Sequence, residues 1–119
     1  MTDAYDRGDV VFGHDPFNDR ATPRPWLVLS DGSHPFYGEQ YVAVTLTSKS
    51  YHDGFVPIDD ADWVQGGMPA ESAVVPWGLA SPDHDDLDDD RYQGLLSTGF
   101  VDEVARTATA ALGLGADEQ

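Results

Sequence analysis

Three side chains in this sequence can act directly on a phosphate. Arg24 stands before Pro25 and the apolar run Trp26-Leu27-Val28-Leu29, and Thr47-Ser48 close the stretch Tyr41-Val42-Ala43-Val44-Thr45-Leu46. A guanidinium stays charged and its planar fork pairs two phosphate oxygens, while neighbouring hydroxyls add neutral donors. A site acting on a phosphate diester must align the attacking group with phosphorus, neutralise the phosphorane and help the leaving oxygen depart. Arginine is a poor proton donor, so Arg24 suits electrostatic stabilisation. Each group also has an ordinary reading: Arg24 as a surface cation paired with Asp15 or Asp19, and the hydroxyls as solvent-facing strand residues.

Other chemistry is thinner. His14, His34, His52 and His84 titrate near neutral pH and can serve as acid or base; His14 and His52 are the best placed, yet a plain surface role accounts for all four. The run Asp83-His84-Asp85-Asp86-Leu87-Asp88-Asp89-Asp90 invites a metal, but it lacks the central Gly and terminal Glu of a calcium loop and reads instead as a solvated loop. Phe17, Tyr37, Tyr51 and Trp77 lie in or beside loops, where aromatics can stack unpaired bases. Cysteine is absent, which excludes disulfides and thiol chemistry.

The 119 residues, 40% apolar and 11% aromatic, suit a single domain, 1–119, with one modest core. The packed part is expected over about 7–113, with flexible tails. The net charge is −16, from 22 Asp and Glu against six Lys and Arg. Eighteen of the acids are Asp, and they occur in nearly every loop. Such a surface suits molar salt, where the screening length falls to about 3 Å, and the chain reads as a halophile's. An acidic module that binds a basic partner or mimics nucleic acid would instead gather its acids on one face. The first residues lack a signal-peptide pattern and no apolar run approaches membrane-spanning length, so a cytoplasmic protein is expected.

The elements follow from periodicity. Residues 8–13 read as a strand, 14–24 as a long loop, 25–30 as a strand buried on both sides, and 40–47 as an alternating strand with Val42, Val44 and Leu46 on one face. Residues 55–58 read as an edge strand because of Pro57. Asp59 to Val64 reads as a helical turn stopped by Gly66-Gly67, 72–77 as a strand, 82–90 as a loop and 92–96 as the last strand. Thr98 stands at the N-cap of a helix carrying Val101, Val104, Ala105, Ala108 and Leu112, with Gly113 as its stop. The expectation is a mainly β chain of five or six short strands with one C-terminal helix.

Arg7-Gly8-Asp9-Val10, Arg24-Pro25 entering its strand, the third strand ending in Thr47-Ser48, Glu71-Ser72-Ala73-Val74-Val75 and the final helix occur in an order and spacing that resemble the MazF/PemK-like toxins. The resemblance spans about residues 7 to 113. It implies a small SH3-like β-barrel of the MazF/CcdB type, homodimeric, with an RNA groove near the dimer interface and a cognate antitoxin that occupies it. The activity implied is that of a metal-independent endoribonuclease of a type II toxin-antitoxin system, inhibiting growth by cleaving single-stranded mRNA to 2′,3′-cyclic phosphate and 5′-OH ends. No cofactor, metal or membrane is implied, and DNA enters only through an antitoxin complex. The resemblance gives Arg24 and Thr47 catalytic roles and places Ser48, Phe17, Arg20, Lys49 and Trp77 on the RNA. Trp77-Gly78 departs from the acidic-Gln pair common in that family, which removes a polar base reader. That departure and the scarcity of cations favour the alternative of a non-catalytic barrel acting as a protein-binding or regulatory module.

Overall fold

The computed structural model describes residues 3–16, 22–48 and 52–114. Its elements run β1 (Asp9–Gly13), β2 (Arg24–Val28), β3 (Ala43–Thr47), β4 (Val56–Pro57), a 3₁₀ turn (Asp60–Asp62), β5 (Trp63–Gly66), β6 (Ala73–Ala80), a second 3₁₀ turn (His84–Asp86), β7 (Leu87–Leu96) and α1 (Thr98–Ala111). The strands form one antiparallel sheet in the order β4-β6-β3-β2-β1-β7-β5, curled into a half-barrel. The β1-β2-β3 meander is its centre; later strands are added outward, and β4 holds an edge as Pro57 requires.

The central strands are buried on both faces, which explains their unbroken apolar runs. On one face Val10, Leu27, Val44, Leu46, Val74 and Leu96 pack with Phe100, Val101 and Val104 of α1. On the other Val11, Trp26, Val28 and Ala43 pack with Tyr5, Tyr41 and Leu87. Tyr5 belongs to this core, and its N–H donates to Tyr41 Oη at 3.1 Å, so packing begins inside the segment 1–6 expected outside it. Val42 does not continue the face of Val44 and Leu46: it is exposed, because β3 starts only at Ala43.

The Arg-Gly-Asp-Val segment is architectural. Gly8 N–H donates to Val28 O at 2.8 Å, and Gly8 O accepts from Leu96 N–H at 2.9 Å. Arg7 Nε donates to Leu29 O at 3.0 Å while its Nη2 pairs with Asp102 of α1 at 2.9 Å. Asp9, 8% exposed, accepts from Asp6 N–H at 2.7 Å and from Tyr92 Oη–H at 2.8 Å. Burial raises the Asp9 carboxyl above its ordinary value, with these hydrogen bonds opposing the shift. Tyr92 is pushed up to about 12 by burial and by its bond to Asp9.

Further expectations are corrected. Residues 82–90 are not a loop: the segment is pinned by His84 N–H on Glu39 O at 2.8 Å and by Tyr41 N–H on Pro82 O at 3.0 Å, and β7 begins at Leu87. Leu87 seats in the second core, while Asp88, Asp89 and Asp90 are exposed on a strand whose register against β1 is bulged. The turn after Asp59 ends at Asp62, and an unanticipated seventh strand, β5, follows against β7. The helix cap is Ser97, whose side chain accepts from Phe100 N–H at 3.3 Å; Thr98 is the first helical residue. Leu112, 68% exposed, lies past the helix end and leaves the apolar stripe to Phe100, Val101, Val104 and Ala108.

Replacing Ser97 with Ala should lower stability by about 1 kcal/mol, the usual cost of losing a cap, whereas Thr98→Ala should leave urea denaturation nearly unchanged. Equal losses would return the cap to Thr98. The raised carboxyl of Asp9 has a defined pH signature. The native state holds this proton more tightly than the unfolded chain, so the stability it contributes is present at low pH and is lost as pH rises through its native value. Wild type should therefore lose stability relative to Asp9→Asn as pH increases across that window; a pH-independent difference between their denaturation curves would contradict the assignment.

Candidate active site

Pro25 disfavours helical backbone at the residue before it, so β2 starts at Arg24 rather than after it, and Arg24 pairs opposite Gly13. The arginine is thus a half-buried strand residue and not the loop residue expected. Its side chain crosses to β3, where Nε donates to Thr45 Oγ1 at 3.1 Å and Nη2 donates to Leu46 O at 3.2 Å. These two bonds set the plane of the guanidinium. Thr45, 5% exposed, lies opposite Trp26. Its hydroxyl sits 3.3 Å from Leu46 O and 3.4 Å from Pro25 O, so its proton has an acceptor on either side while a lone pair takes the arginine N–H.

Arg24, Thr47 and Ser48 line one cleft of about 400 Å³, together with Phe12, Asp15 and Met68. Thr47 is half-buried at the end of β3, and Ser48 is exposed. An arginine and two hydroxyl-bearing residues therefore border one space large enough for a phosphate and its sugar. Arg91 lies with Cζ 4.3 Å from the centre of the ring of Phe12, one of the residues lining the cleft.

Other candidates fall elsewhere. Trp77 does not line this cleft; its ring meets His52 and Phe55 in a separate aromatic group. Tyr37 is also outside it, its hydroxyl 3.4 Å from Asp6. Phe17, Arg20, Lys49 and Tyr51, with Asp19, lie outside the described residues. No histidine is among the described residues lining the cleft. His34 Nδ1 accepts from Phe36 N–H at 2.9 Å, His52 Nδ1 accepts from Gly54 N–H at 2.8 Å, and His84 Nδ1 shares a 2.8 Å hydrogen bond with Tyr41 Oη. His14 is exposed and contributes its carbonyl to Trp26 Nε1–H at 3.2 Å. Among the described residues, no group of three or more His, Asp or Glu is placed to hold a metal.

Thr45 is the residue that sequence reasoning missed. It left a signal, because alternation puts it on the face of Thr47 inside an otherwise apolar strand. Gly78 is also part of the arrangement: a Cβ there would lie 2.7 Å from Thr45 Cγ2, so the absence of a side chain lets Thr45 sit where it meets Arg24.

No protein-family model and no curated protein matches the sequence. Solved structures do match. An endoribonuclease from a mycobacterial species is 23% identical with a TM-score of 0.72, covering 96% of each chain. A mycobacterial endoribonuclease in complex with its cognate antitoxin is 23% identical with a TM-score of 0.70, covering 95% of this chain and 97% of that one. The MazE-MazF complex of Deinococcus radiodurans gives 19% identity and a TM-score of 0.68, with 94% of this chain and 98% of that one covered. At such identities the likeness is one of architecture, and this chain has the fold of the MazF toxins.

Proposed function

We propose that the chain is an endoribonuclease that cleaves single-stranded RNA by attack of its own 2′-OH, leaving 2′,3′-cyclic phosphate and 5′-OH ends. The observation that carries this reading is the Arg24 fork, fixed by Thr45 Oγ1 and Leu46 O in the same cleft as Thr47 and Ser48. Arg24 stabilises charge on the phosphorane, and a preorganised donor of this kind contributes because it needs no reorganisation as charge develops. Thr47 and Ser48 donate to the remaining phosphate oxygens, and the reaction requires no metal or cofactor as its nucleophile is supplied by the substrate. Phe17, Arg20, Lys49 and Trp77 complete the RNA contacts in this reading. A non-catalytic binding module has no need for an arginine and two hydroxyls converging on one cleft.

The same reading makes the protein a toxin-antitoxin component: a homodimer held in check by a cognate antitoxin, acting in the cytoplasm. The neighbouring folds include an endoribonuclease solved with its cognate antitoxin, and no helix among the described residues is long and apolar enough to cross a membrane.

Arg24→Ala should lower the rate of RNA cleavage in EDTA by about 100-fold or more, the usual loss when one transition-state donor is removed. Thr47→Val and Thr45→Val should each lower it about tenfold or more, the first by removing a donor and the second by releasing the arginine. Circular dichroism verifies that each variant folds, and a folded Arg24→Ala protein cleaving at the wild-type rate would sink the proposal. Salt should act in an unusual direction. Most nucleic-acid binders weaken as salt rises because neutralised phosphates release counterions; here the charge of −16 repels RNA and itself, and screening relieves both. Cleavage should rise into the molar KCl range, and a folded protein most active near ~0.1 M, where the screening length is still about 10 Å, would contradict the halophilic reading.

A further inference from the structure

In a chain of 22 acids, the buried carboxylates among the described residues are Asp9 and Asp15. Asp9 is accounted for by architecture, since it accepts from Asp6 N–H and from Tyr92 Oη–H. Asp15 is 4% exposed and borders the same cleft as Arg24, Thr47 and Ser48. Burying a carboxylate is costly, and this one is spent in the wall of the cleft. The chain around it is held in place. Gly13 lies opposite Arg24 in the register of β1 and β2, His14 N–H donates to Asp86 O at 3.0 Å, and His14 O accepts from Trp26 Nε1–H at 3.2 Å. Pro16 follows directly and biases Asp15 toward extended backbone.

Cleavage by a 2′-OH needs a proton acceptor. Arginine does not deprotonate in proteins, the hydroxyls of serine and threonine hold their protons at neutral pH, and no histidine is among the described residues lining the cleft. Among those residues Asp15 is the one side chain that serves as a base at neutral pH. We propose that Asp15 is the general base of the cleavage reaction, taking the proton of the attacking 2′-OH. The assignment rests on the ribonuclease reading of the cleft. The uncharged ribose lies toward Asp15 and the phosphate toward Arg24, which keeps the carboxylate off the anionic oxygens. As the O2′–P bond forms, the 2′ proton passes to a carboxylate oxygen of Asp15. The P–O5′ bond breaks, O5′ takes a proton from water, and Asp15 then returns its own proton to water. One 2′,3′-cyclic phosphate and one 5′-OH end result, and the protein is unchanged.

Single-turnover cleavage measured against pH tests this, with circular dichroism following the fold. The charged groups on the elements around Asp15 are Arg24 on β2, Arg91 on β7 over Phe12, His14 beside it in the chain and Asp86 on the second 3₁₀ turn. Both arginines stay charged, so His14 and Asp86 are the competing titrations. The wild-type rate should fall as pH drops through the range where carboxylates gain protons, because a protonated base accepts nothing. Asp15→Asn keeps the shape and should lower the rate at neutral pH by about 100-fold or more, the usual share of a general base, and should lose that acid limb. Its affinity for 2′-O-methylated single-stranded RNA should not weaken, whereas His14→Asn and Asp86→Asn should keep the limb. Wild-type cleavage by Asp15→Asn, an acid limb that survives in it, or a limb that vanishes in His14→Asn or Asp86→Asn overturns the assignment. So does a wild-type rate that stays flat with falling pH while the protein is folded, a result that needs no variant. RNA binding by folded Asp15→Asn that weakens in step with cleavage would make Asp15 a partner that positions Arg24 and overturn its role as base. All these results leave the ribonuclease reading standing where Arg24→Ala is inactive; a wild type that cleaves no RNA at any pH removes both.

Discussion

The register of β2 against β3 is the constraint on which the site depends. Trp26 lies opposite Thr45 and Leu27 opposite Val44, and this pairing carries Thr45 to the Nε of Arg24. A slip of one residue would turn every side chain of β3 to the other face, sending Thr45 toward α1 and Leu46 into the second core. Burial on both faces prevents it: Trp26, Leu27, Val28, Ala43 and Val44 are fully enclosed, so no alternative register leaves the apolar surface covered. The arginine is positioned by the same packing that stabilises the sheet.

The acidic composition and the cleft coexist because the arginine of the cleft is oriented by uncharged groups. Arg7 ties β1 to Leu29 O and to Asp102, and Arg91 lies over Phe12. Arg24 is held by neutral oxygens, a hydroxyl and a carbonyl. These acceptors fix its orientation with dipoles, while Asp15, a buried acid, lines the same cleft.

The central strands, the edge position of Pro57 and the course of the helix were legible because each rests on local pattern: buried runs, a missing amide donor, an i, i+3, i+4 stripe. The acidic stretch was misread because composition argued for solvent, whereas a single residue, Leu87, and two backbone anchors decide where β7 begins. The short β5 carries almost no pattern and exists through its pairing with β7. Arg24, Thr47 and Ser48 were candidates through the family resemblance, since each by itself reads equally as an ordinary surface or strand residue, and their meeting in one cleft follows from antiparallel pairing that brings the start of β2 beside the end of β3. Thr45 escaped notice because a buried hydroxyl in a strand has many uses, and only the direction of the arginine gives it one. Ser97 was displaced by Thr98 for a similar reason, since adjacent hydroxyls are equivalent in sequence and backbone geometry alone distinguishes them.

Gly78 shows how the arrangement around Arg24 reaches a third strand. Any side chain at position 78 would need a Cβ, and that atom would lie 2.7 Å from Thr45 Cγ2, forcing Thr45 away from Arg24. The orientation of the guanidinium therefore depends on three strands at once: the place of Arg24 at the start of β2, the hydroxyl and carbonyl that β3 presents to it, and the missing side chain on β6.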